Sequence, residues 1–90
     1  MNETPSIGRQ KDPSSSIDRR LDCLGLFCPI PIVRTREALK EMEAGQILEM
    51  VSDDPASEAD MKSWARRTGN ELLEISKRGI VYRFVVRKVA

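Results

Sequence analysis

The stretch Leu21-Asp22-Cys23-Leu24-Gly25-Leu26-Phe27-Cys28-Pro29-Ile30-Pro31 constrains this chain more than any other. It reads as a buried strand, a tight turn at Gly25, and the first turn of a helix with a cysteine at its mouth. Pro is favoured at the first helical position, because its missing N–H would have no intrahelical partner there. Pro29 fits that slot, which makes Cys28 the N-cap residue. Pro31 removes one more donor, so the N–H groups of Ile30 and Ile32 are left to face the Cys28 sulfur. They act with the positive end of the helix dipole. That setting predicts a lowered thiol pKa and a nucleophilic thiolate. The bland alternative is a small buried hydrophobe that happens to precede a proline.

The rest of the composition narrows the chemistry around that thiol. The 90 residues contain two cysteines, Cys23 and Cys28, and no histidine. A Cys-His dyad, a Ser-His-Asp triad and a histidine-ligated metal site are therefore excluded. Two thiolates do not complete a structural zinc site, which wants four ligands, so no metal is expected. Two cysteines are also few for a secreted disulfide scaffold. Activation of a nucleophile must come from backbone dipoles, from a cation, or from a partner. The net charge of +1 gives no strong pull toward nucleic acid or an anionic membrane. No apolar run is long enough to span a bilayer, and the first twenty residues lack a secretory core, so a cytoplasmic location is expected.

Residues 1–16 carry turn formers and little apolar content, and read as a flexible tail ahead of one domain over 17–90. Ile17 to Asp22 reads as a first strand. The Cys28 helix follows, from Pro29 to about Glu43, with Ile32, Thr35, Leu39 and Met42 at helical spacing. Gln46 to Ser52 is a second strand, ending in the turn signal Asp53-Asp54-Pro55. Ser57 is placed to cap a second helix, with Asp60 as a weak substitute for the capping-box Glu. Met61, Trp64, Ala65 and Thr68 form its apolar stripe, and Gly69 or Asn70 ends it. Glu71 to Lys77 and Ile80 to Val89 make a hairpin around Arg78-Gly79. The order βαβαββ predicts an α/β two-layer sandwich, with two helices on one face of a four-stranded mixed sheet. The other face is open. Glu49, Glu74, Arg83 and Arg87 make it partly polar, but Ile47, Val51, Leu72, Val81 and Val85 share its parity, which predicts some apolar exposure and a surface for weak self-association.

These residues resemble the TusA/SirA-like family of small sulfur-relay proteins over about Arg20 to Val89. The resemblance rests on Leu21-Asp22, Gly25-Leu26, Cys28-Pro29-x-Pro31 and Ala38-Leu39. Gly45, Asp53-Asp54-Pro55, Trp64 and Gly69 to Leu72 support it. The resemblance implies the βαβαββ fold and a persulfide carried on Cys28, a transient covalent intermediate that needs no cofactor. It implies a donor protein, such as a cysteine desulfurase or a rhodanese, and a sulfur-acceptor protein. Relatives act in tRNA thiolation, sulfur oxidation, selenium metabolism and thiosulfate uptake, the last with a membrane transporter as partner. Asn70 stands where tRNA-thiolating relatives carry a histidine, and Cys23 where they carry a small residue.

Two rival readings stay open beside the relay. Cys23 and Cys28 could form a dithiol redox module if Cys23 sits in the loop and the sulfurs can meet. The architecture also resembles the C-terminal domain of translation initiation factor 3, an RNA- or protein-binding module, although direct nucleic-acid binding is not expected at this charge. Arg34 and Arg36, just past the cysteine, and Asp53 and Asp54 are candidates for electrostatic or partner contacts. The plainer reading makes the arginines a solvated face and the aspartates turn formers.

Overall fold

The computed structural model describes residues 17–89. The expected tail over 1–16 lies outside the described residues. Six elements follow one another: β1 (Arg19–Cys23), α1 (Ile30–Lys40), β2 (Ile47–Ser52), α2 (Ser57–Thr68), β3 (Glu71–Arg78) and β4 (Val81–Arg87). The strands form one sheet in the order β1-β2-β4-β3. β1 and β2 run parallel, joined by the α1 crossover, and β4 is antiparallel to both β2 and β3. This is the expected two-layer α/β sandwich with a mixed sheet.

The core lies between the sheet and the helices. Cys23, Leu48, Met50, Phe84 and Val86 from the sheet meet Ala38, Leu39, Met42, Met61, Trp64 and Ala65 from the helical layer. Alternation along β2 is strict, with Leu48, Met50 and Ser52 buried and the residues between them half-buried. That is the pattern of a strand with one face packed on a core.

Several boundaries differ from the sequence expectation, each for a local reason. β1 begins at Arg19 because Asp18 spends its carboxylate on the Ile47 N–H at 2.8 Å, outside the ladder. It extends to Cys23 because that residue pairs with Ser52. α1 stops at Lys40, not Glu43. Its last turn tightens, with Glu41 N–H donating to Ala38 O at 3.1 Å and Met42 N–H to Leu39 O at 3.0 Å. Such i→i−3 bonds close a helix end in 3₁₀ fashion. Ser57 is the first residue of α2 and not its cap; Ala56 holds the N-cap position without a side-chain bond. Gly69 ends α2 as expected, at φ 81° with its N–H on Ala65 O. The hairpin turn is Gly79-Ile80, with Gly79 at φ 63°. A glycine at the first position of a two-residue loop supplies that positive φ.

The largest correction concerns the open face. A register shift between Leu72 and Glu74 turns β3 over. Leu72 therefore packs against the core instead of facing out, as does Ile75. Val85 does face out, between Glu49 and Glu74 in register, yet it is fully buried. Charges cover this face. Arg20 on β1 donates to Glu49 on β2 at 2.9 Å, and Arg83 on β4 pairs with Glu49 and also donates to Glu74 on β3 at 3.0 Å. Arg87 pairs with Glu71. None of the large exposed hydrophobic side chains lies on a strand. Ile47, Val51 and Val81 remain half-buried on this face, so its apolar surface is smaller than expected and interleaved with charge. Among the described residues no helix is long and apolar enough to cross a membrane.

Phe84 is the largest fully buried side chain and sits on a central strand. We expect Phe84→Ala to cost about 3–5 kcal/mol, the range for removing a core aromatic ring. The loss should appear as a lower denaturant midpoint in an equilibrium unfolding experiment.

Candidate active site

β1 and β2 are parallel, so the chain leaves both at the same edge of the sheet. The loop over residues 24–29 follows β1, and the loop over 53–56 follows β2. In open α/β sheets this carboxyl edge is where ligands gather. The two loops are fastened together by the paired aspartates. Gly25 N–H donates to Asp53 Oδ1 at 3.1 Å, and Cys28 N–H donates to Asp54 Oδ2 at 2.7 Å. The other Asp54 oxygen accepts the Ala56 N–H at 3.0 Å, a local turn that launches α2. Ser57 Oγ returns a bond to Asp54 O at 2.7 Å. Asp54 is 7% exposed, so these contacts are shielded from water. The aspartates thus take the turn-forming role and also grip the cysteine loop.

The loop itself is a series of short-range turns. Asp22 Oδ1 accepts the Leu24 N–H, Cys23 O accepts the Leu26 N–H, and Gly25 sits at φ 78°. The Cys28–Pro29 peptide is cis. Pro29, not Cys28, is the N-cap of α1, and Pro31 lies in its first turn. Cys28 therefore stands one residue outside the cap. Ile30 N–H donates to Phe27 O at 2.8 Å, so it is not free to meet the sulfur. Ile32 contributes its half-buried side chain to the site.

Cys28 is exposed and Cys23 is completely buried. Cys28, Pro29, Ile32, Asp60, Ser63 and Arg67 line a cleft of about 200 Å³ between the loop and α2. The expected lowering of the Cys28 pKa does not occur; the thiol is pushed above its ordinary value. The main cause is a hydrogen bond with the Asp60 side chain, followed by partial desolvation and then by the negative charges of Asp60 and Asp54. A carboxylate beside a thiol disfavours its anion. The helix terminus predicted the opposite direction, but the Ile30 N–H is spent on Phe27 O and the charges of two carboxylates act on the thiol. Cys23 is also raised, by burial first, with Arg34 opposing and Asp22 adding to the shift.

Arg34 and Arg36 do not line the Cys28 cleft. Arg34 is exposed, and its charge is felt at Cys23. Arg36 borders a separate groove with Lys40, Trp64 and Lys88. Asp60 is the site residue that sequence reasoning placed wrongly, as a substitute helix-cap partner. Asp60, Ser63 and Arg67 recur three and four residues apart on one side of α2, a polar stripe that could have marked a helix face turned toward chemistry. Three large apolar side chains near the cysteine in sequence are exposed: Phe27 at 70%, Leu24 at 44% and Ile30 at 41%.

Comparison with known proteins agrees with this geometry. The family model described as sulfurtransferase TusA matches residues 19–88. The sulfur carrier protein TusA of Allochromatium vinosum is 39% identical over 74 residues, covering 82% of this chain and 97% of that protein. A longer relative from Aquifex aeolicus is 50% identical over 60 residues, and the match spans 67% of this chain but only 30% of that protein. Among solved structures, a SirA-like protein from Desulfitobacterium hafniense superposes with a TM-score of 0.70 at 28% identity, covering 80% of this chain and 99% of that one. A cysteine loop clamped to the start of α2, on a βαβαββ sandwich matched by sequence and by structure, places this chain in the TusA sulfurtransferase family.

Proposed function

We propose that this protein is a sulfur carrier that takes sulfane sulfur onto Cys28 as a persulfide and hands it to an acceptor protein. The observation that supports the reading most directly is the contrast between the two cysteines. Cys28 is exposed in a cleft, and Cys23 is sealed in the core. That contrast also weighs against the dithiol module, because a fully buried Cys23 offers no accessible partner thiol.

Loading begins with the Cys28 thiolate attacking the outer sulfur of a donor cysteine persulfide. A new S–S bond forms to Cys28. The bond between the outer sulfur and the donor Sγ breaks, and the donor leaves as a thiolate that takes up a proton. Discharge repeats the exchange, with an acceptor thiolate attacking the outer sulfur and Cys28 leaving. No net oxidation occurs, and no cofactor is consumed. The donor class is a protein persulfide such as that of a cysteine desulfurase or a rhodanese. Leu24, Phe27 and Ile30 are exposed and close to Cys28 in sequence, and in this reading the segment bearing the donor cysteine docks on them.

Cys28→Ser should abolish loading, and Cys23→Ser should leave it intact. Intact-protein mass spectrometry after incubation with a persulfide donor reads this as one added sulfur, placed on the Cys28 peptide after digestion. Sulfur found only on the Cys23 peptide would overturn the proposal. Phe27→Ser should slow loading from a protein donor about tenfold, the size of a modest interface hot spot. Loading from inorganic polysulfide should be unchanged. Equal slowing with both donors would mean that Phe27 shapes the loop and does not dock the partner.

A further inference from the structure

Among the described residues, Arg67 is the cation that lines the Cys28 cleft. Arg34 and Arg36, the arginines nearest the cysteine in sequence, do not. Arg67 lies in the last turn of α2, where a basic side chain suits the negative end of the helix dipole. Arg66 meets that need equally, so the dipole does not explain why a cation borders the cleft. The Arg67 guanidinium donates to Ser63 Oγ at 3.2 Å, one helical turn back. Ser63 is also part of the cleft wall, so this bond keeps the charge along the cleft. No carboxylate of the described residues forms an ion pair with Arg67. Its charge is uncommitted.

Loading changes what such a charge can do. The empty Cys28 is largely a neutral thiol at neutral pH. The charges that act on it are those of Asp60 and Asp54, and Arg67 is not among them. A persulfide is a stronger acid than a thiol, because its S–H bond is weaker and its anion is stabilised by the neighbouring sulfur. The loaded cysteine therefore ends in an anion, one S–S bond of about 2.05 Å beyond Sγ. A cleft of about 200 Å³ has room for that atom. Pro29 and Ile32 supply apolar wall, beside which a charge interaction is stronger than in open water.

We propose that the outer sulfur of the Cys28 persulfide lies in this cleft as an anion whose charge Arg67 offsets, so that Arg67 favours the loaded carrier over the empty one. The inference rests on Cys28 being the sulfur-bearing residue.

The test is a loading equilibrium with a small donor that needs no docking surface. Glutathione persulfide gives its outer sulfur to Cys28, and glutathione leaves with the proton of the Cys28 thiol. One S–S bond forms, one breaks, and there is no net oxidation. Intact-protein mass spectrometry reads the ratio of loaded to empty chain at a fixed ratio of glutathione persulfide to glutathione, and digestion locates the sulfur. Arg67→Gln should lower the equilibrium constant about threefold, the size of an exposed charge interaction. Arg67→Lys should restore most of it. The difference between Arg67→Gln and the parent should vanish in 1 M salt, where charges are screened beyond about 3 Å. Alkylation of the empty Cys28 by iodoacetamide should be the same in all three proteins. An Arg67→Gln variant that is folded by circular dichroism and loads like its parent would overturn the proposal. So would a lysine variant no better than the glutamine one, a loss that persists in 1 M salt, or an equal change in alkylation of the empty thiol. Arg67→Met, which keeps the stem and removes the charge, decides by the same ratio should the glutamine variant not fold. Failure of the parent chain to load on Cys28 would instead sink the carrier reading itself, and this inference with it.

Discussion

The buried carboxylate of Asp54 is the joint on which the site depends. One of its oxygens holds the backbone of the cysteine loop and the other holds the backbone that opens α2. Hydrogen bonds to an ionised group are worth about 1.5–3 kcal/mol each, more than ordinary peptide bonds of the same kind. Of the large apolar side chains in the loop, Leu26 packs against the core, while Leu24 and Phe27 are exposed and add little packing. Asp53 adds a second tether at Gly25. Without these bonds, β1 and α1 would be joined by a glycine-containing segment with few long-range contacts, and Cys28 would not be held beside α2. The clamp has an electrostatic side effect. A negative group placed where it can hold the Cys28 N–H is also close enough to discourage the thiolate.

The distribution of apolar surface follows from the same economy. The inner face of the sheet is consumed by the two helices, and the outer face is covered by a chain of charges that crosses all four strands, from Arg20 through Glu49 and Arg83 to Glu74. Partly shielded pairs of this kind rarely add much stability, because desolvation offsets the attraction. Their consequence is negative: the apolar side chains of the open face, Ile47, Val51 and Val81, are half-buried and interrupted by charge, a poor surface for another sheet to cover. Large hydrophobic exposure is left to loops and ends. Among the described residues, Leu24, Phe27 and Ile30 cluster by sequence around Cys28, and Ile80 and Val89 lie in the hairpin turn and beyond β4. In the proposed carrier reading, exposed apolar side chains close to the cysteine in sequence suit docking by donor and acceptor proteins.

The fold was legible because periodicity and punctuation agreed along most of the chain. Gly69 and Gly79 mark real turns, and the stripes of α1 and α2 face the sheet as their spacing requires. Cys28 stood out because a cysteine between a strand and two prolines has few uninteresting explanations. The failures share one cause, which is that local rules were applied where distant groups decide. The preference of proline for the first helical position does not choose between Pro29 and Pro31, and Asp54, far along the chain, takes the Cys28 N–H away from the helix end. Leu72 and Leu73 are adjacent leucines, so nothing in the pattern reveals that the strand slips there and changes which residue faces the core. Asp60 looked like a helix-start residue because it is one. Its second role requires knowing that the start of α2 lies against the cysteine loop.

The raised thiol pKa bears on whether Cys28 suits a carrier or a free-standing catalyst. A catalyst that turns over with soluble substrates gains from a thiolate already formed at neutral pH, as at helix termini free of nearby carboxylates. Cys28 has the opposite environment. Nucleophilicity per thiolate rises with thiol pKa, but the fraction of thiolate and the leaving-group quality both fall. The first effect is the weaker, since reactivity grows by less than half as steeply as the thiolate population shrinks. The net direction is toward a free thiol that reacts slowly by itself. That suits the carrier reading, in which a docked protein partner supplies the surroundings for exchange, better than it suits a catalyst that must act on soluble substrates unaided.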